Sequence, residues 1–295
     1  MAASLLAGAC GGGDGGSASA KSQSYGPAKV TRWKVVAGQE QETSRTEFTY
    51  DSEGKVTTTR FFDRDDGAST LALVQTTSFT YSSDGKTSSY QSRLADSDSV
   101  FDYEMTYVDG VLVRQVETIN WSDGDVEVNT DSHTYKDGRL MSTKMAGKGF
   151  IFSRSFTYDS NGRALTAHFG GSDSWFDDGW KYESSGRLKQ ADSSFKDKAA
   201  GPDLFFYDTR GWLSRIEKGS TVQDHVREYV RDKDGLLKEV KVKLMDGTLV
   251  EVLRYDMVKE GSAHFWSPES GENYPMNLER MEIFGGLSPN VYEKR

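Results

Sequence analysis

Four histidines, one cysteine and 45 acidic residues are the groups in this 295-residue chain that could carry catalysis or hold a metal. His133, His168, His225 and His264 stand far apart, and none has a second His or a Cys at the short spacing of metal-binding pairs. No Gly-x-Ser-x-Gly elbow or other nucleophile motif occurs. Gly11-Gly12-Gly13 neither follows a strand pattern nor opens a helix, so it does not read as a phosphate loop. Asp63-Arg64-Asp65-Asp66-Gly67 and the stretch from Asp173 to Asp178 gather carboxylates that could bind Ca²⁺. Neither follows the EF-hand order, and turns select Asp in any case. Acid pairs for glycoside hydrolysis depend on a separation in space that 45 acids leave open. The expectation is no catalytic residue, no metal ligand and no cofactor.

Two tryptophans suggest binding instead. Trp121 stands beside Asp123-Gly124, and Trp175 stands between Asp173 and Asp177, both near irregular turns. Aromatic rings beside carboxylates at loop tips suit stacking on sugar rings, so Trp121 and Trp175 are the candidate glycan contacts.

The single cysteine rules out an internal disulfide framework. Leu5-Leu6-Ala7-Gly8-Ala9-Cys10 is a short apolar run ending in small residues before a Cys, as in a bacterial lipoprotein signal. Cys10 is the expected lipidation site. It lacks a basic leader, and its aliphatic residue sits four places before the Cys instead of three. Residues 1–10 thus read as a signal remnant, 11–27 as a Gly/Ser-rich tether, and 28–295 as one domain with an irregular cap over 261–295. No other stretch approaches the roughly 18 apolar residues that a spanning helix needs. The expected location is a bacterial cell envelope, periplasmic or surface-exposed, with the membrane reached through the N-terminal lipid.

The formal charge of −9 is spread along the chain, without the basic stripe that nucleic acid requires, so no nucleic-acid partner is expected. With 36% hydrophobic and 12% aromatic residues, the apolar surface is concentrated in Phe, Tyr and Trp. One apolar face and one wet face per strand fit that balance.

The elements that must position any site are repeats. Tyr50, Tyr81, Tyr107, Tyr135, Tyr158, Tyr182, Tyr207, Tyr229 and Tyr255 recur 22 to 31 residues apart, each near a turn. A recurrence of this kind marks one supersecondary unit stacked along the chain. Apolar residues two apart lead into the turn, as in Phe79/Tyr81, Phe156/Tyr158 and Trp180/Tyr182, and period two sets them on one face. Asp or Asn leading into Gly then closes a hairpin, as in Asp51-Ser52-Glu53-Gly54. An apolar residue two after the Gly opens the return strand: Val56, Leu112, Leu140, Leu188, Leu213, Leu237. Lys55, Lys86, Arg139, Arg163 and Arg187, directly after the turn glycine, are placed to stack on tyrosines or to pair with turn acids. Second turns such as Ser122-Asp123-Gly124-Asp125 and Gly147-Lys148-Gly149 close each unit on the other side.

The fold class is therefore all-β: an antiparallel up-and-down meander of about eighteen strands in tandem hairpins. To bury its aromatic face it must coil into a curved shell or large open barrel, either filled or hollow. The run Tyr158-Asp159-Ser160-Asn161-Gly162-Arg163, with near copies at Tyr182–Leu188, Tyr135–Leu140 and Tyr207–Leu213, resembles the YD or RHS repeat over residues 45–256. That family implies coiled β-sheet shells on bacterial surfaces, here in the form of a small envelope lipoprotein, and no reaction. The expected function is a non-enzymatic, lipid-anchored envelope protein whose β-surface binds a glycan or an envelope protein. The alternatives are a carrier holding a lipid or apolar ligand inside the barrel, and a carbohydrate hydrolase.

Overall fold

The computed structural model describes residues 25–259, apart from 65–67, 84–85, 110, 171–174, 196–197, 200, 220–224 and 234–235. Cys10, most of the tether, the 261–295 cap and His264 lie outside the described residues, as do Asp65-Asp66-Gly67 and Asp173.

Nineteen strands follow one another along the chain. They are β1 (Tyr25–Val36), β2 (Gln39–Tyr50), β3 (Val56–Asp63), β4 (Ala72–Tyr81), β5 (Thr87–Leu94), β6 (Val100–Val108), β7 (Val111–Asn120), β8 (Val126–Lys136), β9 (Arg139–Gly147) and β10 (Phe150–Tyr158). The run continues through β11 (Ala164–Gly170), β12 (Trp175–Tyr182), β13 (Leu188–Phe195), β14 (Lys198–Ala199), β15 (Asp203–Tyr207), β16 (Leu213–Lys218), β17 (His225–Arg231), β18 (Leu237–Leu244) and β19 (Leu249–Lys259). Each pairs antiparallel with its neighbours in sequence, except that the two-residue β14 hangs on β13, which passes on to β15.

The ring closes. β1 pairs with β2 on one side and with β19 on the other, Val30 standing opposite Thr46 and Tyr255. Eighteen strands thus form a closed barrel, and the expected open shell is corrected. Closure buries the aromatic face and removes both sheet edges at once, which an open coil of hairpins cannot do. Since β1 begins at Tyr25, residues 25–27 of the expected tether belong to the wall.

Each hairpin repeats one local design. In the first, Asp51 N–H donates to the Lys55 carbonyl at 2.9 Å, and the Asp51 carboxylate accepts from the backbone of Glu53 and Lys55. Asp159 and Asp208 do the same in their turns. A β-bulge follows every such turn: Tyr50 pairs with Val56 but Thr49 pairs with Thr58, leaving Thr57 extra. The bulge turns residues three apart to the same face, and Leu213/Ile216 and Leu237/Val240 are accordingly all buried.

Where the bulge interrupts the strand pairing, the tyrosine hydroxyl of the next hairpin takes the freed carbonyl. Tyr81 donates to Val56 at 2.7 Å, Tyr182 to Ala164 at 2.8 Å and Tyr207 to Leu188 at 2.8 Å. The post-glycine cation of one hairpin lies over the tyrosine ring of the next, at 4.8 Å for Arg163 on Tyr182 and 5.5 Å for Lys55 on Tyr81. Lys86 on Tyr107, Arg139 on Tyr158 and Arg187 on Tyr207 complete the expected stacking. Tyr229 and Tyr255 are not rungs of this ladder. Both are buried one step earlier, at the place that Phe156 and Trp180 hold, and Arg231 takes the rung that Tyr229 was expected to fill.

The pleat alternates a buried inward face with an exposed outward one, and Ile151, Val126 and Val128 stand among the exposed residues. On β10, Arg154 and Phe156 are buried while Ser153, Ser155 and Thr157 are exposed. Ion pairs lace the outer face between strands: Lys243–Glu228 at 2.7 Å, Arg254–Glu239 at 3.3 Å and Lys181–Asp192 at 3.0 Å.

Candidate ligand site on the inner wall

The inward face holds the core, with Phe79, Tyr90, Phe156, Ile216 and Val240 buried on it. Several inward side chains stay half-buried, among them Tyr103, Glu117, Asn129, Phe152 and Phe169. These half-buried positions are where a ligand could be met, and the polar part of the inner wall lies on β4 to β12.

β7 and β8 supply the centre of it. Gln115 stands opposite Asp131, and Glu117 stands opposite Asn129, so four oxygen-bearing side chains form a square on the inward face. Tyr103 donates to Glu117 Oε1 at 2.5 Å, and Asn129 Nδ2 donates to Glu117 Oε2 at 2.9 Å. The Tyr103 ring stacks on Tyr90, with centroids 4.0 Å apart. Burial first, then the Glu117 carboxylate, raises the Asp131 carboxyl to about 7. Burial likewise drives both phenols upward, with the Glu117 and Asp131 charges adding to it. Farther round the wall, Thr77 and Ser92 share a hydrogen bond at 2.7 Å, and Arg154 pairs with Asp178 at 2.7 Å.

At the second-turn end, the Trp121 ring meets Phe101 edge-on at 5.8 Å, and it is 40% exposed. Phe101 lies two residues from Tyr103 on the same face of β6, so one pleat step leads from the Trp121 rim to the square. Trp121 is thus brought to the polar wall. Trp175 stands on β12, four strands from β8 and paired with Gly170, and its side chain lies outside the described residues.

The three described histidines lie on strands, His133 on β8, His168 on β11 and His225 on β17. His133 is buried, and burial lowers its imidazole to about 4. His168 is on the outer face, 2.6 Å from the Asp177 carboxylate. Asp63 accepts from the backbone of Arg64. The residues missed in sequence, Gln115, Glu117, Asn129 and Asp131, carried one legible signal. Counting back by twos from Tyr135 gives His133, Asp131 and Asn129, a polar run on the face that elsewhere holds aromatics.

No protein-family profile and no curated protein sequence matches the chain. Solved structures do align with it. A porin-like protein from Bacteroides uniformis ATCC 8492 is 10% identical at a TM-score of 0.43, covering 79% of this chain and 98% of that one. A porin-like protein from Bacteroides vulgatus ATCC 8482 is 12% identical at a TM-score of 0.31, covering 78% and 97%. The expected resemblance to YD or RHS repeat proteins is corrected: no family profile matches, and the hairpins close into a barrel instead of coiling as a shell.

Proposed function

We propose that this chain is a non-enzymatic envelope protein, held to the membrane by a lipid on Cys10, whose barrel binds a glycan at the rim and inner wall. The observation that carries the reading is the path from Trp121 over Phe101 to Tyr103, Glu117 and Asn129. It sets aromatic faces beside a carboxylate and an amide, the combination that stacks on a sugar ring and bonds its hydroxyls. The polar groups along the inner wall favour a hydrophilic ligand over the lipid that a carrier would hold. The charged outer face supports a barrel standing in water beside a membrane, not within one.

Glycan-array and peptidoglycan pull-down binding tests this directly. Trp121→Ala and Glu117→Gln should each weaken binding about tenfold or more, while Trp175→Ala serves as the comparison on β12. Binding that survives both inner-wall substitutions overturns the site, and new reducing ends in the bound glycan overturn the non-enzymatic reading. For the anchor, Cys10→Ser should move the protein into the detergent-free soluble fraction. Unchanged partition would refute it.

A further inference from the structure

We infer that the square of Gln115, Glu117, Asn129 and Asp131 is a binding site for a hard divalent cation of the Ca²⁺ class. Among the described residues no three His, Cys, Asp or Glu side chains converge, so the square reaches four donors by adding two amide oxygens to two carboxylates. The paired positions set side chains about 5 Å apart across the strands and about 7 Å apart along them, all on one face. A cation at the centre of such a square comes within reach of Gln115, Glu117 and Asp131 at the roughly 2.4 Å of a Ca²⁺–oxygen bond, and of Asn129 once its amide turns its oxygen from Gly147 toward the square.

Three features distinguish this square from an ordinary acidic patch. Gln115 is 3% exposed, stands opposite Asp131, and its Oε1 has no hydrogen-bond partner. Asn129 Oδ1 is likewise buried without one, since its amide nitrogen is spent on Glu117. Buried carbonyl oxygens normally find a donor or a cation. Finally, neither Glu117 nor Asp131 forms an ion pair among the described residues, so their charge is balanced by no neighbouring Lys or Arg.

Donor type selects the ion. All four corners offer oxygen and none offers sulfur or imidazole, which disfavours Zn²⁺ and copper. Two amides and two carboxylates on a pleated wall give an open, irregular shell that Ca²⁺ tolerates and octahedral Mg²⁺ does not. With only two charges the site belongs with weak extracellular Ca²⁺ modules, binding on the order of 10⁻⁴ to 10⁻³ M. Gly147 makes room for the Asn129 side chain: a Cβ there would fall 2.0 Å from Asn129 Oδ1. The site stands whether or not a glycan binds, and its test involves no glycan.

Tb³⁺ substitutes for Ca²⁺, and Tyr103, bonded to Glu117, is placed to sensitise its emission. The full chain, freed of metals, should show saturable Tb³⁺ luminescence on tyrosine excitation. Ca²⁺ should displace it at least tenfold better than Mg²⁺. Asp131→Asn and Asn129→Ala should each weaken Tb³⁺ binding tenfold or more, and calorimetric Ca²⁺ titration should show the same loss. If Asp131→Asn fails to fold, the half-buried Asn129→Ala carries the test alone. Emission that does not saturate, or that is unchanged in the folded variants, overturns the site.

Discussion

Arg231 and Trp212 hold each other's places: the guanidinium lies 5.0 Å from the indole centroid, with the cation on the rung and the ring after the turn glycine. One hairpin earlier the order is the usual one, Arg187 from after its glycine lying 5.0 Å from the Tyr207 ring on the rung. The contact survives the exchange because a cation–π pair is indifferent to which strand supplies which partner. Burial also lowers the Arg231 guanidinium below its ordinary range, so the indole face stands in for lost water.

A double-mutant cycle on this rung should give a coupling energy of about 1 kcal/mol. Trp212→Arg alone brings two guanidinium groups together, and Arg231→Tyr alone leaves two rings. Both should lower the urea midpoint. The double variant restores the order of the preceding rung and should recover most of the loss. Strict additivity of the two single effects would sink the claim that the pair acts as a unit.

Turn glycines should divide into two classes. Gly162 and Gly124 both have left-handed backbones, with φ of 83° and 92°. A Cβ on Gly162 would sit 2.8 Å from the Arg139 guanidinium, whereas one on Gly124 meets nothing within 4 Å. Gly124→Ala should therefore cost only the backbone strain of about 1–2 kcal/mol. Gly162→Ala should cost about 1 kcal/mol more, because it also displaces Arg139 from Tyr158. Equal losses in urea melts would show that the arginine yields freely.

Sequence and structure agree where interactions are local. The Asp-to-Gly turns, the inward Phe156/Tyr158 pairs and the stacking of Arg163 on the next tyrosine follow from spacing within some thirty residues. Tyr229 misled because Glu228-Tyr229-Val230-Arg231-Asp232 carries its tyrosine two places before the rung, where a buried Phe or Trp serves elsewhere. The inner square was hidden by the bulge after Leu112, which turns Gln115 and Glu117 inward out of simple alternation with it. Closure was hidden for a different reason: β1 and β19 are joined by no hairpin, and only their register brings Val30 to Tyr255.

That seam makes its own prediction. Arg254 on β19 bonds Glu239 on β18 and reaches over Trp33 of β1 to Glu40 on β2, at 2.8 Å. Thr31→Pro breaks strand pairing in the middle of β1 and should free the edges of β2 and β19. The expected result is concentration-dependent oligomers in light scattering with strand content kept in circular dichroism. A monomer of unchanged melting temperature would mean that β1 does not hold the ring closed.

Asp131 and His133 should pull stability in opposite directions across the same pH range, in chelator so that no cation intervenes. Asp131 is raised from 3.8 to about 7 by burial and by Glu117, so the folded state keeps a proton that the unfolded chain releases. Its contribution is full below about pH 4 and is lost as pH rises toward 7. His133 is lowered from 6.5 to about 4, chiefly by burial, so the unfolded chain takes a proton that the folded state refuses. Its contribution is full above about pH 6.5 and is lost as pH falls toward 4. Asp131 is worth up to roughly 4 kcal/mol and His133 up to roughly 3 kcal/mol, and between pH 5 and 7 in the native protein they largely cancel. His133→Gln should leave a protein that gains stability between about pH 7 and pH 5, while Asp131→Asn should leave one that loses it. Urea unfolding at the two pH values checks both, and variants with the native pH profile would show that neither group titrates across the fold.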